Sequence, residues 1–232
     1  MTVSARNPES VGFIIDGNRR WARAHGLPPL EGHRRGYEKV KEVARWCKKR
    51  EIRCMTVYAF STENWKRQLD EVNYLMDLNR LVLSRDVPEL LREGVRVRII
   101  GGRTDPLPQD LAALMESAEA QTSHASELLL QIAINYGGRA DLVQAIQGII
   151  RAGIPADQVD EAVITRHLWT AGTPDPDLII RTSGEQRLSG FLTWESVYSE
   201  LYFSKTFWPD FSEAELETIL HEYAHRERRI GK

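Results

Sequence analysis

The chain has 232 residues, 31 basic and 33 acidic side chains, a net charge of −2, and 42% hydrophobic residues. That length suits one domain with a full core, and the near-neutral balance gives no reason to expect a nucleic-acid partner. Cys47 and Cys54 are too few for a disulfide framework and fit no zinc spacing, so buried free thiols are expected.

In chain order, Val11 to Ile15 reads as a buried strand and Asn18 to His25 as a short helix. Arg35 to Lys49 places Val40, Val43, Ala44 and Cys47 on one helical face. Cys54 to Phe60 reads as a strand, Glu71 to Arg92 as one long helix, and Val95 to Ile100 as a strand. Leu107-Pro108 opens a helix running to about Thr122, Leu128 to Ile134 is a strand, and Gly138 to Ala152 a helix. Asp177 to Arg181 and Glu200 to Phe203 complete the strands. Ser212 caps a terminal helix, with Glu215 completing a capping box. This alternation predicts a single α/β domain over 1–232, with a mostly parallel six-stranded sheet flanked by helices. Met1 to Ser10 lacks a signal-like h-region, and no apolar run approaches the roughly 18 residues of a membrane span. A cytoplasmic protein is therefore expected, with membrane contact through a lipid substrate left open.

In parallel sheets ligands bind beyond the carboxyl ends of the strands. After the first strand comes Asp16-Gly17-Asn18-Arg19-Arg20-Trp21. Gly17 lets backbone approach a ligand, and Arg19 and Arg20 oppose the helix dipole unless an anion lies there. Asp16 among arginines makes sense if Mg²⁺ bridges it to phosphate oxygens. The plainer alternative is two solvated arginines on a surface helix. After the strand ending at Ile180 comes Arg181-Thr-Ser-Gly-Glu-Gln-Arg187-Leu188-Ser189-Gly190, a second phosphate cradle by composition. Its alternative is a polar loop with an Arg181–Glu185 pair. Ser61-Thr62-Glu63-Asn64-Trp65-Lys66-Arg67 offers hydroxyls, an amide and an arginine at another strand end, or simply a capped helix start. Glu200, in an apolar and aromatic setting, needs either a structural arginine or a metal. No Walker loop, G-x-G-x-x-G or G-x-S-x-G motif is present, and no H-E-x-x-H pairing. The paired Asp-Asp-x-x-Asp clusters of trans-type prenyl synthases are absent too.

Taken together, these segments resemble the cis-prenyltransferase family of the undecaprenyl diphosphate synthase type. The likeness rests on Asp16 to Ala22, Gly32-His33 with Gly36, Tyr58 to Trp65 with Arg67, and Arg98 to Gly101. It continues through Asn135-Tyr-Gly-Gly-Arg139, Asp177 to Thr182, Gly184-Glu185, Arg187, Ser189, Glu200 to Phe203, Trp208 to Phe211 and Arg226 to Arg229. The resemblance implies an enzyme that adds isopentenyl diphosphate to an allylic diphosphate and creates Z double bonds. It implies Asp16 as Mg²⁺ ligand and catalytic carboxylate. Gly17, Asn18, Arg19, Arg20, Trp21 and His33 would hold the allylic diphosphate. Asn64 would assist proton removal, with Ser61, Thr62, Glu63, Trp65 and Arg67 shaping that region. Arg181, Arg187, Leu188 and Ser189 would hold isopentenyl diphosphate, and Glu200 would bind or orient the metal. It further implies a homodimer in which Arg229-Ile230-Gly231 reaches the partner's site. An apolar tunnel for the growing chain is also implied, walled by Leu75, Leu78 and Val82, which could equally be ordinary core.

The chain departs from the family pattern at several positions. Ser10 stands where histidine is usual, Pro29 where arginine is usual, and Gln186, Gly190 and Gly102 replace other residues. Three readings follow: a long-chain polyprenyl diphosphate synthase, a short-chain or irregular synthase that couples dimethylallyl units, and a non-catalytic subunit of a heterodimeric synthase. Retention of Asp16, Asn64, Arg181, Arg187 and Glu200 weighs against the last.

Overall fold

A computed structural model describes residues 7–226. Six strands form one sheet: β1 (Ser10–Ile14), β2 (Cys54–Ser61), β3 (Val95–Ile100), β4 (Leu128–Tyr136), β5 (Leu178–Arg181) and β6 (Glu200–Phe203). Every neighbouring pair is parallel, in the order β3-β4-β2-β1-β5-β6. The helices are α1 (Asn18–Ala24), α2 (Pro29–Lys49), α3 (Leu69–Arg85), α4 (Val87–Arg92), α5 (Gln109–Thr122), α6 (Gly138–Arg151), α7 (Glu161–His167) and α8 (Glu213–His225).

The four inner strands β1, β2, β4 and β5 are buried on both faces and read as near-continuous apolar runs, whereas the edge strand β3 exposes Arg96 and the edge strand β6 is half-buried throughout. Successive side chains alternate between two cores. Val11 and Phe13 of β1 join Met55 and Val57 of β2, Val40 and Val43 of α2, and Leu216 and Ile219 of α8. Ile14 and Tyr58 enter a smaller core with Ile179, Phe191 and Leu192. Both cysteines are buried and free, and burial pushes the Cys47 thiol up to about 12.

From β1 the chain passes to β2 on one side, whereas β5 is laid against the other side of β1. The winding direction therefore reverses between β1 and β5. A crevice at such a reversal is where open parallel sheets bind ligands.

Several sequence expectations change. The long helix expected over Glu71 to Arg92 is two helices, broken at Asp86. Pro88 lacks an N–H and its ring would collide with the carbonyl four residues back, so one continuous helix cannot form. The second helix begins at Pro29 rather than Arg35, because proline suits the first helical position. The α7 helix was not expected, although Asp160 caps it by accepting from the Val163 N–H at 2.7 Å. Ser212 does cap α8, accepting from the Glu215 N–H at 3.2 Å. The capping box fails, because the Glu215 carboxylate takes the Ser204 hydroxyl instead. Arg229-Ile230-Gly231 lies outside the described residues. No helix among the described residues is long and apolar enough to cross a membrane.

Candidate active site

A cavity of about 570 Å³ opens beyond the carboxyl ends of β1, β2, β4 and β5. That size lies within the usual range for small-ligand sites. Ten of the residues expected at the site line it: Asp16, Asn18, His33, Ser61, Thr62, Glu63, Asn64, Arg67, Arg181 and Ser189. The other lining residues include Ile14, Ile15, Tyr58, Ala59 and Leu75, which give it an apolar side, and Arg139.

At its centre Asp16 and Arg181 meet across the β1/β5 crevice, with Arg181 Nη2 donating to Asp16 Oδ2 at 2.9 Å. The other Asp16 oxygen accepts from the Gly17 N–H at 2.7 Å and lies 3.4 Å from Arg20. The Asp16 backbone is fixed as well. Its carbonyl accepts from Thr182 Oγ1 at 2.7 Å and from the Trp208 N–H at 3.1 Å. Trp208 is fully buried, and its indole donates to the Gly36 carbonyl at 2.6 Å. The aromatic segment after β6 thus holds the β1 turn onto α2.

Two glycines are required here by space. Gly17 has φ +102°, and a Cβ on it would lie 2.8 Å from Phe207 and 2.9 Å from the Ser183 hydroxyl. A Cβ on Gly32 would lie 2.0 Å from the Asn18 carbonyl, so only glycine lets α1 dock this closely on α2.

The second cradle folds around Arg181. This buried guanidinium also donates to the Arg187 carbonyl and, at 2.9 Å, to Ser189 Oγ. The Arg181–Glu185 pair is not formed. Glu185 instead takes Arg20 at 3.3 Å and Arg187 at 2.5 Å. Arg181 Nε, Ser183 Oγ and Asn18 Oδ1 are buried without a partner. Arg181 Nε and Ser183 Oγ can donate to an anion, whereas the Asn18 amide can do so only through its Nδ2.

Across the cavity, Glu71 gathers three cationic or polar side chains. Arg19 lies at 3.1 Å, Arg67 at 2.9 Å and His33 Nε2 at 3.2 Å. Burial alone would raise the Glu71 carboxyl, but Arg67, Arg19 and His33 outweigh it and hold it below its ordinary value. Burial first, and Arg67 next, hold His33 below its ordinary value against the pull of Glu71. A neutral His33 that donates to Glu71 fits both shifts.

Thr62–Lys66 forms a short 3₁₀ helix with Ser61 as its N-cap, so the segment is a capped start whose residues Ser61 to Asn64 also line the cavity. The Ser61 N–H donates to Asn64 Oδ1 at 3.1 Å. Gly17, Arg19, Arg20 and Arg187 border the cavity through Asp16, Glu71 and Arg181, whereas Trp21, Trp65 and Leu188 make their contacts elsewhere. The Trp21 indole donates to Asp210 at 2.7 Å and stacks on His25. Trp65 bonds Asn135, and Leu188 packs against the smaller core. Of the three residues expected to wall a tunnel, Leu75 lines the cavity and is part of the main core, Leu78 is half-buried and Val82 is buried; neither of the last two lines the cavity.

Glu200 does not converge with this centre. It pairs with Arg226 at 2.7 Å, the structural arginine of the two partners anticipated. It is level with Leu178 and Val11, five residues before Asp16. At about 3.3 Å per residue the two carboxylates are roughly 16 Å apart along the strands. One ion cannot bridge them within a chain. No group of three or more metal-ligating side chains occurs among the described residues. The Asp16 environment therefore fits Mg²⁺ as an ion held jointly by one carboxylate and substrate phosphates, the usual mode for that cation.

Among the sequence departures, Ser10 is buried at the amino end of β1 and donates to the Pro174 carbonyl, away from the cavity. Pro29 begins α2 one turn before His33, so it does bear on the site. Sequence reasoning missed Glu71 and Arg139. Glu71 was read only as the start of a helix. Arg139 sits in a quoted motif, lines the cavity, and has no ion pair or hydrogen bond among the described residues.

Residues 14–231 match the family model described as "Putative undecaprenyl diphosphate synthase". The chain is 42% identical over 229 residues to a ditrans,polycis-undecaprenyl-diphosphate synthase ((2E,6E)-farnesyl-diphosphate specific) of Legionella pneumophila, covering 97% of this chain and 96% of that one. Its fold is similar to that of lavandulyl diphosphate synthase from Lavandula x intermedia, solved with dimethylallyl diphosphate. The TM-score is 0.92 at 35% identity, over 97% of this chain and 99% of that one. It is also similar to a probable undecaprenyl diphosphate synthase of Campylobacter jejuni, with a TM-score of 0.82 at 28% identity, over 98% of this chain and 100% of that one.

Proposed function

The chain belongs to the undecaprenyl diphosphate synthase family of cis-prenyltransferases, and on that premise we propose that it condenses isopentenyl diphosphate with an allylic diphosphate at the β1/β5 crevice, extending the product to a long-chain polyprenyl diphosphate. The observation that carries this reading is the Asp16–Arg181 pair, surrounded by unpartnered buried polar atoms and flanked by an apolar wall.

The reaction breaks the allylic C–O bond and forms a C–C bond to the isopentenyl double bond. Diphosphate leaves with the bonding electrons, and a proton leaves the new product. Stabilising the departing charge is the main electrostatic demand. Mg²⁺, when bound, supplies Lewis-acid neutralisation of the diphosphate, and Asp16 is the residue that would hold it. Asn18, Arg19, Arg20 and the Gly17 backbone bind the allylic diphosphate in this reading, with His33 beside them. Arg181, Arg187 and Ser189 bind isopentenyl diphosphate. Asn64 cannot accept a proton at neutral pH as an amide. Its part is to orient the group that loses or receives the proton, the released diphosphate being the nearest base in kind. The partners are the two diphosphates and a second copy of the chain, in a cytoplasmic protein that meets a membrane through its lipid product.

A second reading, a short-chain or irregular coupling of dimethylallyl units, is favoured by the close likeness to the lavandulyl enzyme and by Pro29 at an expected arginine position. Labelled isopentenyl diphosphate supplied with dimethylallyl, geranyl or farnesyl diphosphate separates the two. Products well beyond the primer support the long-chain reading, products of about ten carbons from dimethylallyl diphosphate support the second, and no incorporation with any primer refutes both.

A further inference from the structure

Asn135, next to last in β4, is tied to three chain segments at once. It is 6% exposed and has φ 51°, a left-handed backbone that asparagine tolerates better than most residues. Its Oδ1 accepts from the Trp65 indole N–H at 2.8 Å. Its Nδ2 donates to the Gly102 carbonyl at 3.1 Å, and its own carbonyl accepts from the Gly102 N–H at 3.1 Å. One amide therefore joins the end of β4, the loop after β3 and the 3₁₀ turn after β2.

That turn, Thr62–Lys66, carries Thr62, Glu63 and Asn64 into the cavity. It has five residues and none of them is buried. So short a piece has little stability of its own. Its orientation therefore rests on a few attachments, of which the packing of Trp65 against the main core is one. Another is local, the Ser61–Asn64 bond. The long-range attachment is Trp65, whose ring stands edge-on to Phe60 at 4.8 Å and whose N–H is taken by Asn135.

We propose that Asn135 is a positioning residue for the condensation: it holds Trp65, and by anchoring that turn it sets Asn64 against the reacting carbons. The proposal rests on the prenyltransferase reading above. Asn135 does not line the cavity, so it acts through Trp65 and touches no substrate. The side chains proposed to bind diphosphate, Asp16 and Arg181 among them, stand at the ends of other strands and are not part of this turn. Loss of Asn135 thus moves turnover and leaves diphosphate affinity nearly unchanged. A small misplacement of an orienting group is enough to cost about tenfold or more in rate.

The test uses the full chain. Asn135→Gly keeps the left-handed backbone and removes the amide. Trp65→Phe keeps the ring against Phe60 and removes the donor. Asn135→Asp keeps an acceptor for the indole. The expected result is kcat down about tenfold in the first two, with both KM values within about threefold. The double variant should be no slower than the slower single variant, because both changes break one connection. Asn135→Asp keeps the acceptor for the indole but loses the donor to the Gly102 carbonyl, so its kcat should fall between those of Asn135→Gly and the wild type. The Trp65 indole N–H resonance, assigned by its absence in Trp65→Phe, should exchange slowly in the wild type and Asn135→Asp and rapidly in Asn135→Gly. Full kcat in Asn135→Gly, unchanged indole exchange there, or multiplied losses in the double variant would each overturn the positioning role while leaving the enzyme's activity intact. Absence of turnover in the wild type with every primer would overturn the underlying activity instead.

Discussion

Arg181 Nη2 lies 2.9 Å from Asp16 Oδ2, which joins the ends of two strands wound in opposite directions from the crevice. Arg181 is almost wholly buried, whereas Asp16 remains about one-third exposed. The pair links the two halves expected to hold separate diphosphates. It also leaves the buried Arg181 Nε without a partner.

Arg181→Gln should therefore affect stability and binding together. Breaking a buried pair costs about 3–5 kcal/mol, and the partial exposure of Asp16 puts this one near or below the low end. Urea unfolding should show the loss, and the KM for isopentenyl diphosphate should rise about tenfold or more. An unchanged KM would remove Arg181 from the binding role.

Gly17→Ala should fail for a local reason. The added methyl needs φ +102° and meets Phe207 and Ser183 below van der Waals distance. A loss of about 1–3 kcal/mol is expected from the strained backbone, with the Asp16 turn displaced. Wild-type stability and turnover in this variant would show that the turn is free to relax.

Arg139→Gln should separate binding from stability. Arg139 is exposed and has no partner among the described residues, so its loss breaks no ion pair. The unfolding midpoint should stay put while the KM for a diphosphate substrate rises about threefold to tenfold. Salt should weaken wild-type binding more than variant binding. Equal KM values would place Arg139 outside the field felt by the substrate.

The Glu71 cluster should make stability depend on pH. His33 is held below its ordinary value, so the unfolded chain binds more protons just under about pH 6.5. Stability is then full above that value and falls as pH drops toward the folded-state value. Glu71 has the same sign at lower pH, because its depressed carboxyl stabilises the fold above its unfolded value and loses this as pH falls through the folded one. Unfolding free energies from urea titrations at about pH 5.5 and 7.5 should differ in the wild type, by at most about 1.4 kcal/mol per pH unit for one proton. His33→Gln should narrow the gap, and an equal gap would exclude His33 as its source.

Much of this was legible in the sequence because the signals are local. All six strands were visible as apolar runs, and strand ends located Asp16, Ser61 and Arg181. The parts that were not legible depend on what the fold brings together. Nothing local says that Glu71, beyond its i,i+4 partner Arg67, gathers Arg19 from α1 and His33 from α2, or that Asn135 reaches Trp65 across 70 positions. The same holds for Glu200: strand register, unknown beforehand, puts it at the wrong end of the sheet to share an ion with Asp16 in one chain. The break at Asp86 was readable from Pro88, and the apolar periodicity on either side hid it.

The central claim is that Asp16 is the carboxylate on which allylic diphosphate chemistry turns. The most direct measurement is the rate of labelled isopentenyl incorporation, with Mg²⁺ and saturating primer, by the wild type and by Asp16→Ala. The account predicts steady incorporation by the wild type and a rate at least about a hundredfold lower in the variant, the scale of losing one key electrostatic group. Turnover in Asp16→Ala within a few-fold of the wild type would contradict it.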